Sequence, residues 1–258
     1  MRFSAPVYAA LLLLLLAGAA PAGGPSDPAV GVFSHLAPGG SVPPPWEPLR
    51  FDGIQRQTVY TLALDEPGTV IRAESSDAAS GLIRRVRIDP GKYPWISWSW
   101  KVDGPVSGGD LRKKAGDDYA ARLYITFRYE PERFGFFARR RFEAARLLTG
   151  SYPPGGAINY IWGNRAPVGT VAENAYEERV RMIVIRSGAA EAGRWHRESR
   201  NIVRDHIGAF GTPPPMITAV AIMTDTDNTG GTAAARYGDI RFHSRMPPPA
   251  PGPTNNKP

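Results

Sequence analysis

The segment at positions 93–102, YPWISWSWKV, alternates apolar and polar side chains with a period of two. Ile96, Trp98, Trp100 and Val102 all fall on one parity. Because successive side chains of a β-strand point to opposite faces of a sheet, this pattern predicts a strand with one buried face. We therefore expect Trp98 and Trp100 to be core residues.

Other segments of the chain have the character of short strands. They are TVIRAES, GLIRRVRID, DYAARLYITFRY, AINYIW, RVRMIVIR, ITAVAIMT and RYGDIRF. Two segments instead space their apolar residues at helical intervals, FGFFARRRFEAARLLTG and SRNIVRDHIGAFG. About eight strands with one or two short helices are typical of a mainly β fold, and we predict a jelly-roll-type antiparallel β-sandwich.

The first 22 residues have the layout of a secretory signal peptide. Arg2 precedes an apolar run at positions 9–17, and small residues follow. The run is shorter than the roughly 20 apolar residues that cross a bilayer, so a retained anchor is the less favoured alternative. We expect an exported protein, either periplasmic or extracellular. The chain has no cysteine, so its fold depends on its core or on bound ions and not on disulfides.

Proline and glycine are abundant at positions 23–48 and again at 245–258. This composition predicts an extended, poorly packed linker before the domain and a disordered tail after it. Between them, positions 49–244 show neither an internal repeat nor a second linker. The sequence therefore predicts one β-sandwich domain over 49–244.

Four segments, taken in order, resemble one known family. They are ISWSWKV, KKAGDDYAARLYITF, ESRNIVRDHIGAFG and VAIMTDTDNTGGTAAARYGDIRF. Together they look like the exported bacterial family labelled domain of unknown function 3047, from about Phe51 to Phe242. The resemblance implies a sandwich similar to galactose-binding-like and carbohydrate-binding modules. It implies no activity and supplies no catalytic residues, and a fold alone does not imply function.

The acidic loop MTDTDNTGG is the first candidate for chemistry. It is not an EF-hand, because the twelfth position of such a loop is Arg236 and not a bidentate glutamate. Antiparallel strands could still bring several oxygen ligands for calcium to one end of the domain: Asp103, Asp117, Asp118, Asp225, Asp227 and Asn228. The favoured alternative is a plain hairpin turn, because Asp and Asn side chains bond nearby backbone N–H groups.

The second candidate for a binding site is the set of residues that alternate with the apolar ones in two predicted strands. These residues are Trp95, Lys101, Arg122, Tyr124 and Arg128. Aromatic rings beside cations suit an acidic glycan, because sugar C–H faces stack on rings and arginine binds carboxylates bidentately. The alternative is that a helix or second sheet covers this face, or that it is simply solvated.

The net charge of +7 favours anionic partners such as an acidic polysaccharide or a membrane surface, although a solvated basic face needs no partner. Nucleic acid is not expected, because no binding module is recognisable. The arginines of FGFFARRRFEAARLL could lie on an anionic membrane. Packing of that helix on the sandwich, with its arginines in water, is the favoured alternative. Nothing in the sequence indicates an oligomeric state.

Catalytic motifs are scarce in this sequence. It has four histidines and no cysteine, and neither HExxH nor a GxSxG elbow occurs. The combined prediction is an exported, non-catalytic domain that binds a glycan, with structural calcium as a further expectation. Two alternatives stay open. A glycan-active hydrolase or lyase needs carboxyl groups in a deep cleft, and a structural envelope protein needs neither cleft nor aromatic surface.

Overall fold

The computed structural model describes residues 27–66 and 68–248. Within these residues, fourteen strands form two sheets, and there are two α-helices. The predicted mainly β sandwich with two short helices is therefore confirmed. The predicted signal peptide and most of the predicted tail lie outside the described residues. Among the helices described, none has the length and apolar character needed to cross a membrane.

The strands and helices have the following bounds. In chain order, the strands are β1 (Ala29–Gly31), β2 (Glu47–Leu49), β3 (Val59–Asp65), β4 (Gly68–Ser76), β5 (Ala79–Ile88), β6 (Trp95–Val102), β7 (Arg122–Phe127), β8 (Gly156–Gly163), β9 (Val171–Glu173), β10 (Val180–Ser187), β11 (His196–Asn201), β12 (Ile217–Asp225), β13 (Thr232–Tyr237) and β14 (Ile240–His243). The helices are α1 (Phe136–Thr149) and α2 (Ile202–Phe210). Both helices end at a glycine, Gly150 and Gly211, in the left-handed conformation that suits a residue without Cβ.

The strands divide into two seven-stranded sheets. The first has the order β1, β14, β6, β13, β4, β3, and β11 also pairs with β6. The second has the order β2, β5, β12, β7, β8, β10, β9. Among the described pairings, all are antiparallel except that of β8 with β10, which is parallel.

The main core lies between the two sheets. Trp98 and Trp100 of β6 are 1% and 0% exposed, as their parity predicts. Trp98 stacks on Tyr160 of β8 with ring centres 5.2 Å apart, and Trp100 contacts Trp162 edge to face at 6.1 Å. Aromatic pairs in such offset or edge geometries stabilise a core beyond their buried area. These contacts join the centre of one sheet to the other.

A smaller apolar cluster lies on the outer face of the second sheet. Its buried members are Leu111, Tyr119, Ile161, Met182 and Val184. It packs the chain between β6 and β7 onto one half of that face. The other half of the outer face is left uncovered by this segment.

Part of the predicted linker 23–48 is packed. Strand β1 pairs with β14 and β2 pairs with β5. Val30, Phe33 and Trp46 are buried in the main core. The prediction of a poorly packed segment is therefore wrong for residues 27–48, because three apolar residues among the prolines anchor it.

The second helix is shorter than its sequence pattern suggested. The polar run HRESRN forms β11 and pairs antiparallel with β6, from His196 opposite Trp100 to Asn201 opposite Trp95. The Asn201 side chain accepts a hydrogen bond from the backbone N–H of Arg204 at 3.0 Å. This N-cap bond starts α2 at Ile202 and ends the strand.

Candidate functional site

The five residues of the predicted binding surface lie on two different sheets. Trp95 and Lys101 belong to β6 of the first sheet, and Lys101 is paired with Asp65 at 2.7 Å. Arg122 and Tyr124 belong to β7 of the second sheet, and Arg128 follows directly. The outward faces of two packed sheets point away from each other. The structure therefore does not bring the five together, because equal parity on different sheets does not mean a common surface.

The uncovered half of the second sheet's outer face forms a groove of about 890 Å³. Tyr124, Ala221 and Met223 form part of its floor, on paired strands β7 and β12. Loops that are distant in sequence form its walls. The wall residues include Phe51, Asp52, Ile54, Tyr129, Tyr152, Pro153, Pro154, Asn174, Tyr176 and Glu177. We call this site the sheet groove.

Two tyrosine rings in the walls are available to a ligand. Tyr152 is 39% exposed and Tyr176 is 59% exposed. The Tyr152 hydroxyl donates a hydrogen bond to Glu143 at 2.6 Å, and its ring lies 5.0 Å from the ring of Tyr129. The Tyr176 hydroxyl donates to the backbone oxygen of Lys114 at 3.1 Å. Each hydroxyl is therefore held in place while much of the residue stays exposed, and Arg146 and Lys114 lie 5.2 and 5.4 Å from the ring centres of Tyr152 and Tyr176.

A buried ion network closes one end of the sheet groove. The Nε of Arg122 donates to Oδ1 of Asp225 at 2.7 Å, and Nη2 donates to Oδ2 of the same carboxylate. Nη2 also donates to the backbone oxygen of Asp117, and Nη1 donates to the Tyr124 hydroxyl at 3.3 Å. The guanidinium lies 4.3 Å from the ring centre of Tyr119. This bidentate geometry joins β7, β12 and the loop before β7.

Two acids at this end of the sheet groove, Asp225 and Asp227, have raised pKa values. Burial raises the pKa of the Asp225 carboxyl to about 7, although Arg122 acts in the opposite direction. Burial and then the charge of Asp118 raise the pKa of Asp227. Oδ1 of Asp117 is buried, lies 3.6 Å from Nη1 of Arg122 and accepts no hydrogen bond from the residues described. Raised pKa values such as those of Asp225 and Asp227, beside a groove, indicate a functional site.

The acidic turn brings together half of the predicted calcium ligands. One carboxylate oxygen from each of Asp118, Asp225 and Asp227 lies within 4.8 Å of the other two. Asp118 also accepts hydrogen bonds from the backbone N–H groups of Asn228, at 3.2 Å, and Thr229, at 2.7 Å. These bonds hold the turn without an ion. The calcium site stays a prediction.

The other predicted calcium ligands take different positions. Asp117 lies beside Arg122, and the Asn228 amide nitrogen donates to Asp118 at 3.2 Å. Asp103 lies outside the group of three carboxylates and accepts a hydrogen bond from Arg236. It directly follows β6 of the first sheet, where its backbone N–H donates to the oxygen of Ala234 at 3.0 Å.

Residues 44–241 match the model of a family described as "Protein of unknown function (DUF3047)". The chain belongs to this family. The match confirms the resemblance seen in the four sequence segments. It spans the DUF3047 chain from just before β2 into β14 and so includes the floor and walls of the sheet groove.

Solved structures similar to the DUF3047 chain are remote. The family 30 carbohydrate-binding module of a Clostridium thermocellum cellulosomal cellulase is 10% identical, with a TM-score of 0.37, over 85% of this chain and 98% of that one. The xyloglucanase domain of NopAA from Sinorhizobium fredii is 11% identical, with a TM-score of 0.36, over 76% and 96%. The Endo-D glycoside hydrolase domain of Streptococcus pneumoniae R6 is 6% identical, with a TM-score of 0.31, over 78% and 21%. A comparison with curated proteins gives no match.

The sequence pattern did not identify the walls of the sheet groove in this DUF3047 chain. Tyr152 and Tyr176 lie in the loop segments SYPPGG and AENAYEE, outside any periodic pattern. An aromatic residue among turn-forming residues is the local signal that was available, because such loops run over the surface. Their convergence on one groove depends on the order of the strands.

Proposed function

We propose that this DUF3047 chain is a non-catalytic domain that binds an extended glycan in the sheet groove. The observation that carries the proposal is the groove of about 890 Å³ with the exposed rings of Tyr152 and Tyr176 in its walls. Ligand sites are typically clefts of about 300–1,000 Å³ with apolar walls and a few placed polar groups. Tyrosine suits a sugar ring, since it offers a flat apolar face and a polar hydroxyl.

The two ends of the sheet groove carry different charges. Ala219 of β12 pairs with Arg85 on one side and with Thr126 on the other, two residues before Arg128. Met223 of the same strand pairs with Arg122, beside the buried acids. Four residues of strand separate these levels by roughly 13 Å. The groove therefore has a basic end and an end that holds the ion network.

The basic end supports an acidic sugar as part of the ligand. The Arg85 and Arg128 side chains are 76% and 52% exposed. Arg85 lies 3.7 Å from Glu47 and Arg128 lies 2.7 Å from Glu130, and each guanidinium has further N–H groups that can reach a bound molecule. Guanidinium binds a carboxylate through two parallel hydrogen bonds. An acidic sugar at this end and neutral sugar rings along the tyrosines match the distribution of side chains.

The hydrogen bonds that the Asp225 carboxylate already accepts favour a binding function over hydrolysis. Its carboxylate accepts from the Tyr119 backbone at 3.2 Å and from two nitrogens of Arg122, and it is almost fully buried. Hydrolysis of a glycan is the second candidate. It is favoured by the raised pKa of Asp225 and by the presence of Asp117 and Asp227 in the same groove.

The test is retention of the purified protein on immobilised polygalacturonate and, separately, on a neutral polysaccharide such as xyloglucan. Tyr152→Ala and Tyr176→Ala are each expected to weaken binding by roughly 2- to 12-fold, since one aromatic contact contributes about 0.5–1.5 kcal/mol. Tyr176→Phe keeps the ring and should bind much like the parent. Leu64→Ala, an exposed change on β3 of the first sheet, is the control for surface changes in general.

Arg85→Gln and Arg128→Gln separate the charged part of the proposal from the rest. Both should reduce retention on polygalacturonate and leave retention on the neutral polysaccharide unchanged. If neither tyrosine variant differs from the parent on any glycan, the sheet groove is not the binding site. New reducing ends formed by the parent protein, and lost in Asp225→Asn, would replace the binding function with hydrolysis.

A further inference from the structure

Helix α1 exposes most of its large apolar side chains. Phe136, Phe137, Leu147 and Leu148 are 64%, 82%, 84% and 87% exposed. Among the side chains of α1 that the structure describes, only Phe142 is buried, and it stacks on Tyr129 with ring centres 3.7 Å apart. The helix therefore does not pack an apolar stripe on the sandwich, contrary to the alternative that the sequence favoured. Phe142 anchors it, together with the hydrogen bond from the Tyr152 hydroxyl to Glu143.

The charged residues of α1 are mostly basic. Its sequence, FFARRRFEAARLLT, holds four arginines and one acid, Glu143. The Arg140 guanidinium lies 5.2 Å from the ring centre of Phe136, so a cation and an exposed ring are adjacent. Helices that lie in the interface of a bilayer combine arginines, which face the headgroups, with phenylalanine and leucine, which face the acyl chains.

One face of α1 combines both properties. Positions 137, 141, 144 and 148 are spaced by about one turn each and so lie on one side of the helix. This side carries Phe137 and Leu148 about 16 Å apart, with Arg141 and Ala144 between them. All four residues are exposed. We call this side the α1 outer face.

We propose that the α1 outer face binds the surface of an anionic lipid bilayer. The apolar side chains would enter the boundary between headgroups and acyl chains, while the arginines contact lipid phosphates. A helix of 14 residues is about 21 Å long, which is shorter than the hydrocarbon core, so it lies on the membrane and does not span it. This binding is independent of the glycan proposed for the sheet groove.

Charge also argues against a second copy of the chain as the partner. Two α1 outer faces in contact would oppose their arginines, and like charges across an interface disfavour association. An anionic bilayer would instead attract these arginines. Each arginine near such a surface strengthens binding by a factor of about five.

The test uses a fluorescent probe on the full chain. Since the sequence has no cysteine, Ala144→Cys provides a single site for an environment-sensitive dye on the α1 outer face. Leu64→Cys, which replaces an exposed residue of β3, provides the matched control position. Because the readout is local to each dye, contact of any other segment with the vesicles does not imitate it.

We expect vesicles that contain phosphatidylglycerol to shift the emission of the Ala144→Cys dye to the blue. Phosphatidylcholine vesicles should not shift it, and the dye at Leu64→Cys should not respond to either. Arg140→Gln with Arg141→Gln should weaken the response to phosphatidylglycerol by roughly 25-fold, and Phe137→Ser should also weaken it. Glutamine keeps the helix, because its helix propensity is similar to that of arginine.

Four results would overturn the proposal. They are no shift with phosphatidylglycerol, an equal shift with phosphatidylcholine, an equal shift at Leu64→Cys, and a shift that depends on protein concentration without lipid. The last result would identify a second copy of the chain as the partner.

Discussion

Replacement of Arg122 by methionine should destabilise the fold strongly. The change removes two charge-assisted hydrogen bonds to Asp225 and leaves Oδ2 of that carboxylate without its donor. Each hydrogen bond to a charged group contributes about 1.5–3 kcal/mol, and removal of one partner from a buried ion pair costs about 3–5 kcal/mol. We therefore expect the free energy of unfolding to fall by about 3–5 kcal/mol. For a domain of this size the melting temperature should fall by roughly 6–20 °C.

Urea unfolding at pH 8, where the Asp225 carboxyl is mostly ionised, measures this loss through tryptophan fluorescence, because Trp98, Trp100 and Trp162 are buried reporters in the main core. Arg85→Met is the matched control. It removes an exposed arginine that lies 3.7 Å from Glu47, and such surface pairs contribute at most about 1 kcal/mol. Any effect of losing an arginine in general appears in both variants.

A double variant tests the reason for the loss. Arg122→Met with Asp225→Asn removes both charges, and the asparagine oxygen still accepts from the Tyr119 backbone. Since the cost of the single change arises from an unpaired buried charge, the double variant should be more stable than the sum of the two single losses predicts, by at least about 1 kcal/mol. Strict additivity, or a loss below about 1 kcal/mol for Arg122→Met alone, would refute the reasoning.

Three further outcomes are expected. Because the folded-state pKa of Asp225, about 7, lies above the ordinary value of 3.8, its stabilising contribution is complete below pH 3.8 and is lost as the pH rises through 7. The parent should therefore lose stability relative to Asp225→Asn by up to about 1.4 kcal/mol per pH unit, measured by urea unfolding from pH 5 to 8. Asp118→Ala should speed hydrogen exchange at the Asn228 and Thr229 amides at least tenfold, because both lose their acceptor. Because the Asn228 and Thr229 N–H groups already hold the acidic turn, we expect neither calcium nor a chelator to change the melting temperature, a result that would count against the predicted calcium site. A rise of several degrees that Asp227→Ala abolishes would instead establish a metal loop.

The alternation of apolar and polar residues predicted the sandwich, because this pattern is clear in strands that have one face in the core. The parity of YPWISWSWKV placed Trp98 and Trp100 inside without knowledge of any neighbouring strand. Strand β11 had no such pattern, because its buried residue is Glu198. That carboxylate is satisfied by the Trp100 indole at 3.1 Å and by Arg186 at 2.8 Å, partners that the fold supplies.

The candidate site was harder to predict because its parts are far apart in sequence. Arg122 and Asp225 are 103 positions apart, and each alone reads as a surface charge or a turn residue. Their pairing depends on β7 lying next to β12. The tyrosines of the sheet groove depend on the same strand order, which a periodic pattern does not specify.

The pairing of β1 with β14 has a mechanical consequence. Ala29 lies opposite Arg241, and the Ser244 backbone donates to Asp27 at 3.1 Å, so the two ends of the described chain leave the molecule at one corner. A force applied between these ends would load β1 and β14 first, before it reached the ion network. A chain rejoined at this corner and opened in an exposed loop elsewhere should keep both sheets, because neighbouring termini are what circular permutation needs.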